Sequence, residues 1–144
     1  MARMIFVNLP VADVAASTAF YTALGFELDP RFSNENASAM VWSDAISVML
    51  LAHDFYRTFT TKAIADTRTT SAVLLCLSCD DRAGVDAITE AAIAAGGHET
   101  REPQDLGFMY GRAFEDLDGH VYEPMYMDLD AALSAFAEPQ TAEA

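Results

Sequence analysis

The chain has 144 residues, close to the length of one domain, and its 52% hydrophobic and 21% charged residues are typical of a folded globular protein. Eight basic residues against 22 acidic ones give a formal net charge of −14. This field repels nucleic acid and anionic membrane surfaces, so we expect no partner of either kind. No apolar run approaches the ~20 residues that span a bilayer, and the N-terminus lacks a secretory pattern, which favours a cytoplasmic protein.

A first structural unit is predicted over about residues 4–52. Residues 4–9 are rich in β-forming side chains and indicate a strand. Asp13 is a suitable N-cap for a helix whose apolar residues recur at helical spacing, and Gly25 is placed to end that helix. Three further strands are predicted, over residues 26–32, 39–43 and 46–51.

A connector follows over residues 53–70, with a short helical piece predicted near residues 61–66. At about 18 residues it is longer than a typical connection, and long connections within compact domains are often functional. It contains the aromatic residues Phe55 and Tyr56. His53 comes directly after the last strand of the first unit, where it could face the mouth of a pocket.

A second unit is predicted over about residues 71–127 and repeats the order of the first. It opens with a strand over 71–79, followed by a helix that is capped by Asp80 or Asp81 and ended by Gly96 and Gly97. The remaining elements are a short strand over 99–101, a loop over 104–110, and paired strands over 111–115 and 119–125 joined by an Asp-Gly turn.

The two cysteines, Cys76 and Cys79, have the spacing of a redox motif but the wrong setting for one. Residues three apart in a strand point to opposite faces, whereas redox pairs sit at the start of a helix. We interpret them as two buried, reduced cysteines of a cytoplasmic protein.

The two units are related by an internal duplication. Leu9 and Asp13 match Leu77 and Asp81 at an offset of 68 residues. One β-α-β-β-β unit cannot bury both sides of its sheet alone, so two are expected to assemble. We therefore predict an α+β fold in which two tandem units form curved mixed sheets around a cup-shaped pocket. The domain would cover residues 1–128, with a C-terminal tail over 129–144.

Two motifs give the chain a family resemblance. The first is VNLPVAD at residues 7–13, followed by AFYTALGF at residues 19–26; the second is FEDLDGHVYE at residues 114–123. Together they resemble the opening strand and helix and the final hairpin of the vicinal oxygen chelate superfamily, which includes glyoxalase I, extradiol dioxygenases and bleomycin-binding proteins. The resemblance implies the paired-unit fold and a homodimer. It does not imply one activity, because the superfamily includes enzymes and binding proteins.

The resemblance also implies where metal ligands would lie in the enzymes of the superfamily. Those positions fall at Phe6, near Leu74, on the strand that carries Met49, and at Glu123. A single carboxylate does not hold a catalytic divalent ion. We therefore predict no metal cofactor; the alternative is one divalent ion in a rearranged site with Glu123 and His53 as ligands. His98 and His120 are interpreted as turn residues.

Glu123 is the candidate catalytic residue, with two interpretations. Facing a cup, it would serve as a hydrogen-bond anchor or a general base; otherwise it pairs with Arg112 or a backbone group. Arg112 has the same ambiguity, since it could bind an anionic group of a ligand or form a salt bridge. The predicted ligand pocket consists of Trp42, Met49, His53, Tyr56, Met109, Tyr110, Arg112 and Glu123.

The preferred functional hypothesis is a protein that binds an apolar or aromatic small molecule in its cup without a catalytic metal. Soft and flat side chains such as Trp42 and Met49 suit such a ligand. The alternative is a metal-dependent glyoxalase-type lyase or dioxygenase, so the sequence leaves open whether the protein is an enzyme. A third possibility is an interaction module without a ligand.

Overall fold

The computed structural model of the protein describes residues 3–137. The first unit contains β1 (Ile5–Val11), α1 (Val14–Ala23), β2 (Glu27–Asn34), β3 (Ala37–Ser43) and β4 (Ile46–Ala52). Its sheet has the order β1-β4-β3-β2, with β1 parallel to β4 and the other neighbours antiparallel. The predicted helix ends are confirmed: the Asp13 side chain accepts a hydrogen bond from the Ala16 amide, and Gly25 has a positive φ of 104°.

The connector differs from the prediction. Its helix is a single turn, α2 (His53–Tyr56), directly after β4, and residues 61–66 are not helical. The strand predicted over 71–79 is also shorter, because β5 covers only Leu75–Ser78. The neighbouring strand of the second sheet pairs with β5 only from Leu75 onward. Val73 and Leu74 come before this point, so they have no strand to pair with and their side chains are exposed.

The second unit contains β5, α3 (Arg82–Ala94), β6 (His98–Asp105), β7 (Met109–Glu115) and β8 (Val121–Met127). Its sheet has the equivalent order β5-β8-β7-β6. The predicted loop over 104–110 is wrong, since β6 and β7 extend through most of it. A further helix, α4 (Leu129–Ala137), begins the segment interpreted as a tail; residues 138–144 of that segment lie outside the described part of the chain.

The helix-covered sides of the two sheets share one hydrophobic core. Its centre is the ring of Tyr21 on α1, which makes edge-to-face contacts with Phe20, Phe26 and Tyr122 at centroid distances of 5.5, 5.2 and 5.8 Å. Because Tyr122 belongs to β8, these contacts join the two units. The other buried members include Leu9, Met40, Leu50, Leu77, Ile88, Ala92 and Phe114.

The final hairpin connects the two units through hydrogen bonds. The buried carboxylate of Asp116 accepts from the Tyr21 hydroxyl at 2.6 Å and from the amides of Asp118 and His120 at 2.9 Å each. Asp118 in turn accepts from the Ala12 amide at 2.9 Å. The tandem β-α-β-β-β architecture predicted from the sequence is confirmed, with its units joined through their helix sides.

Within residues 3–137, none of the helices is long and apolar enough to cross a membrane.

Candidate functional site

Each sheet has one face covered by helices and one face without a helix, which we call its open face. In β1, Leu9 and Val11 are buried toward the helices, so Phe6 and Asn8 point the other way. The register places Phe6 beside Ser47 and Asn8 beside Met49 of β4. Phe6 and Met49 therefore give this open face apolar side chains, next to the polar Asn8 and Ser47.

A cavity of about 500 Å³ lies on this open face. That volume is within the range of small-molecule sites. A second cavity of about 350 Å³ adjoins it and extends toward Phe55 and Phe59 of the connector. Arg31, Phe32 and Met49 line both cavities, and the larger one is also lined by Met4, Phe6, Asp29, Ala39, Val41, Ser43, Asp44 and Ser47.

A bidentate ion pair lies at the wall shared by the two cavities. The guanidinium of Arg31 donates from Nε and Nη2 to the two carboxylate oxygens of Asp29, at 3.0 and 2.8 Å. The hydrogen bond from Arg31 holds the pKa of Asp29 below its usual value. The Arg31 side chain is 77% exposed, and its guanidinium carbon lies 5.5 Å from the centroid of the Phe32 ring.

The open face of the second sheet has a different character, and Glu123 lies on it. Its Oε2 accepts from Arg101 Nη2 at 3.0 Å, and Cys76 Sγ lies 3.4 Å from its Oε1. Cys76 is exposed, so the prediction that it is buried is wrong. Residual desolvation, and next the hydrogen bond to Glu123, raise the pKa of its thiol. The predicted partner Arg112 is therefore wrong, and the glutamate is paired with Arg101 instead.

The donor set does not fit the metal that the resemblance implies. Phe6 and Met49 lie on the first open face, Leu74 is exposed just before β5, and none of these side chains offers an oxygen or nitrogen donor. Among residues 3–137, no group of three His, Cys, Asp or Glu side chains is placed to hold an ion. His53 lines a separate cavity together with Arg57 and Asp118.

Three predicted pocket residues lie on the helix side of their sheets, away from the open faces. Trp42 packs against Phe26 with a centroid distance of 4.9 Å. The Tyr110 hydroxyl donates to Asp86 of α3 at 2.6 Å, and Arg112 points to the same helix. Of the other predicted residues, Met49 lies on the first open face, Met109 on the second, and Tyr56 on α2.

Arg112 is the centre of an ion-pair network that occupies four of its five N–H donors. Its guanidinium donates to Glu99 at 2.9 and 3.0 Å, to Glu90 at 2.8 Å and to Asp86 at 3.1 Å. The pKa of Glu99 is lowered by the hydrogen bonds from Arg112, and that of Asp86 by the Tyr110 hydroxyl first and then by Arg112. The geometry therefore assigns Arg112 to α3 and β6, since four of its five N–H donors bond to carboxylates of these elements.

The sequence did not indicate Arg31, Asp29, Phe32 or Arg101 as site residues. Alternation along β1 was the available signal for Phe6, which lies out of phase with the buried Leu9 and Val11. Met49 had no such signal, because residues of both phases are buried in β4. Arg31 belongs to β2, whose residues are mostly exposed. The sequence pattern of this strand therefore does not indicate which face of the sheet the Arg31 side chain lies on.

The comparisons with known proteins agree with this geometry. The family model described as "Bleomycin resistance protein-like N-terminal" matches residues 3–41. A hypothetical protein from S. aureus is 25% identical, with a TM-score of 0.74, covering 88% of this chain and 94% of that one. A glyoxalase/bleomycin resistance protein/dioxygenase family enzyme from Burkholderia phytofirmans PsJN is 21% identical, with a TM-score of 0.72 and coverage of 88% and 99%.

A third structure, a glyoxylase/bleomycin resistance protein/dioxygenase domain from Frankia sp. EAN1pec, is 26% identical, with a TM-score of 0.65 and coverage of 88% and 93%. None of the curated proteins matches this chain. The chain has the fold of the glyoxalase/bleomycin resistance proteins, and its N-terminal part matches the family model. The family model and the similar structures support the resemblance to the vicinal oxygen chelate superfamily that the two sequence motifs indicate.

Proposed function

We propose that this protein binds an apolar or aromatic small molecule on the open face of its first sheet, without a catalytic metal ion. The observation that carries this proposal is the cavity of about 500 Å³ whose walls include Phe6, Met49 and Phe32. Phe6 and Met49 lie where the resemblance implies metal ligands. Aromatic rings and a thioether favour contact with flat apolar surface.

The titratable groups near this cavity favour binding over catalysis. Asp29 is held by Arg31, and Asp44 is an exposed turn residue at the rim. Glu123 lies on the other open face and is engaged by Arg101. Asp29 and Glu123 are therefore engaged by arginines, whereas Asp44 lines the first cavity as an exposed residue with no ion pair among the described residues. The donor set favours no second candidate function, since a metal-dependent lyase or dioxygenase would need further ligands beside Glu123.

We expect a neutral fluorescent apolar dye, N-phenylnaphthylamine, to bind the wild-type protein saturably. Phe6→Asp should weaken this binding at least about fivefold, because it places a charged group in the apolar wall. Phe6 is already 56% exposed, so the substitution does not disturb the core. The measurement is a fluorescence titration, together with a thermal unfolding curve of each variant.

Leu133→Asp is the matched control, because Leu133 is 59% exposed on α4 and does not line either cavity. It introduces the same charge and should leave the dye affinity unchanged. Equal losses in the two variants, or no saturable binding, would refute the proposed site. EDTA should have no effect on the affinity; a loss of binding in EDTA would contradict the metal-free part of the proposal.

We also infer that a second copy of the chain packs against the rim of the first open face and encloses the ligand cavity, forming the homodimer that the resemblance implies. Support comes from the large apolar side chains exposed at the first cavity, with Met4, Phe6 and Phe32 at 50, 56 and 65%. Two chains of charge −14 repel one another, so salt should strengthen an association made by apolar contacts.

Sedimentation equilibrium is expected to give twice the 15.6 kDa mass of the chain, with tighter association at higher ionic strength. A mass of one chain at both low and high salt would exclude this dimer. If such a monomer bound the dye, the proposed ligand site would stand and only the proposed dimer would be wrong.

A further inference from the structure

Arg31 is the cationic side chain of the first open face. Among the described residues that line the two cavities of this face, it alone carries a positive charge. Arg31 also lines both cavities, so its guanidinium lies where a ligand extending from one to the other would pass. This placement is unusual in a chain with only eight basic residues.

The hydrogen bonds of the guanidinium leave one edge free. Arginine has five N–H donors arranged as a planar fork. Asp29 occupies the edge formed by Nε and Nη2. The hydrogens of Nη1 and the second hydrogen of Nη2 form the other edge, and no described group accepts from them. This free edge has the geometry that binds a carboxylate or sulfonate through two parallel hydrogen bonds.

Asp29 holds the arginine in position rather than burying it. Its carboxylate also accepts from the backbone amide of Arg31 at 3.0 Å, and its side chain is only 15% exposed whereas that of Arg31 is 77% exposed. The Phe32 ring next to the guanidinium supports its flat side. A cation fixed in this way loses little side-chain freedom when it binds a ligand.

We infer that the ligand of the first open face is an apolar or aromatic molecule bearing one anionic group, and that the free edge of Arg31 binds that group. This inference rests on the proposed function and adds the chemical class of the ligand. The apolar part lies against Phe6 and Met49, and the anionic group points to the wall shared by the cavities. Because the whole protein is acidic and repels anions at long range, recognition of the anion depends on this local contact.

Two dyes with the same ring system test the inference. Anilinonaphthalene sulfonate carries a sulfonate, and N-phenylnaphthylamine lacks it. Arg31→Met is expected to weaken binding of the sulfonate dye roughly fivefold, the size typical of an exposed charge pair, and to leave the neutral dye within about twofold. Arg31→Lys keeps the charge but not the fork, so its loss should be smaller.

Arg57→Met is the matched control, because Arg57 also forms an exposed short-range ion pair, with Asp54 at 2.8 Å, and lines neither of these two cavities. It changes the net charge equally and should not alter the affinity for either dye. Fluorescence titration gives the affinities, and thermal unfolding confirms that each variant is folded.

The outcomes separate the two proposals. Suppose that the neutral dye binds and that Phe6→Asp weakens its binding, so that the apolar site stands. If Arg31→Met then leaves the affinity for the sulfonate dye unchanged, or lowers the affinity for both dyes equally, the inference of an anionic ligand is wrong. The same conclusion follows if the neutral dye binds and the sulfonate dye does not. If neither dye binds saturably, the proposed function fails and this inference fails with it.

Discussion

Replacement of Asp116 by alanine is expected to lower the free energy of unfolding by about 4 kcal/mol. The Asp116 residue is only 3% exposed, and its carboxylate accepts three hydrogen bonds, from the Tyr21 hydroxyl and from the amides of Asp118 and His120. Alanine would leave these donors without a partner inside the protein. The loss should be larger than for one buried hydrogen bond, because the hairpin turn and the contact between the units both depend on this carboxylate.

Urea unfolding of Asp116→Ala and of the matched variant Tyr122→Phe measures this effect. The Tyr122 hydroxyl is buried in the same core but makes no hydrogen bond within the described chain. Its removal should therefore cost less than about 1 kcal/mol and could stabilise the protein, because no partner is left unsatisfied. If the two variants lose equal stability, Asp116 is not the residue that joins the units.

The sequence predicted the Asp116 segment as a turn but did not predict its long-range partner. The Asp-Gly pair and the surrounding apolar residues are local signals, and the structure confirms a hairpin with Gly119 at a φ of 91°. The hydrogen bond from Tyr21 spans 95 residues of sequence. No local pattern specifies that α1 packs over this hairpin, so the helical spacing of the apolar residues predicts a packed face of α1 but not the hydrogen bond from Tyr21 to Asp116.

Strand orientation explains which pocket predictions were misplaced. Successive side chains point to opposite faces, so one position of error moves a residue from an open face to the core. In β3, Ala39 and Val41 alternate with Met40 and Trp42, and both sets are apolar, so hydropathy did not distinguish the two faces. In β7 the signal existed, because Arg112 has the same phase as the buried Phe114.

The partner of Glu123 was unpredictable for another reason. Arg101 lies on β6, whose pairing with β7 shifts register on both sides of Arg101. Such irregularities change which residues lie opposite one another, and a pattern of exposed polar residues does not reveal them. The fold followed from local patterning and duplication, whereas the ion pairs of Glu123 and Arg31 depended on register and side-chain geometry.

Replacement of Arg112 by methionine is expected to destabilise the protein by about 2 kcal/mol at neutral pH. Methionine keeps the apolar stem but removes the cation, so the carboxylates of Asp86, Glu90 and Glu99 would repel one another without compensation. The Arg112 side chain is only 10% exposed. Its partners are more exposed, and water screens part of their repulsion, which keeps the loss below that of a fully buried pair.

The loss should depend on pH in a defined direction. The pKa values of Asp86 and Glu99 are lowered below their ordinary values of 3.8 and 4.5, so their pairing stabilises the folded protein fully above that range. The contribution decreases as the pH falls through the lowered pKa values and both carboxylates become protonated. The stability difference between wild type and Arg112→Met should therefore narrow in acid.

Urea unfolding at neutral pH and below pH ~4 tests both points, with Arg82→Met as the matched control. Arg82 forms its own bidentate pair with Asp105, but its side chain is 43% exposed and that of Asp105 is 53% exposed, so its replacement should have only a small effect. An equal loss for the two arginines would mean that the network around Arg112 is no more than a set of surface pairs. The hydrogen bonds from Arg112 to α3 and β6 would then contribute little to stability, contrary to this prediction.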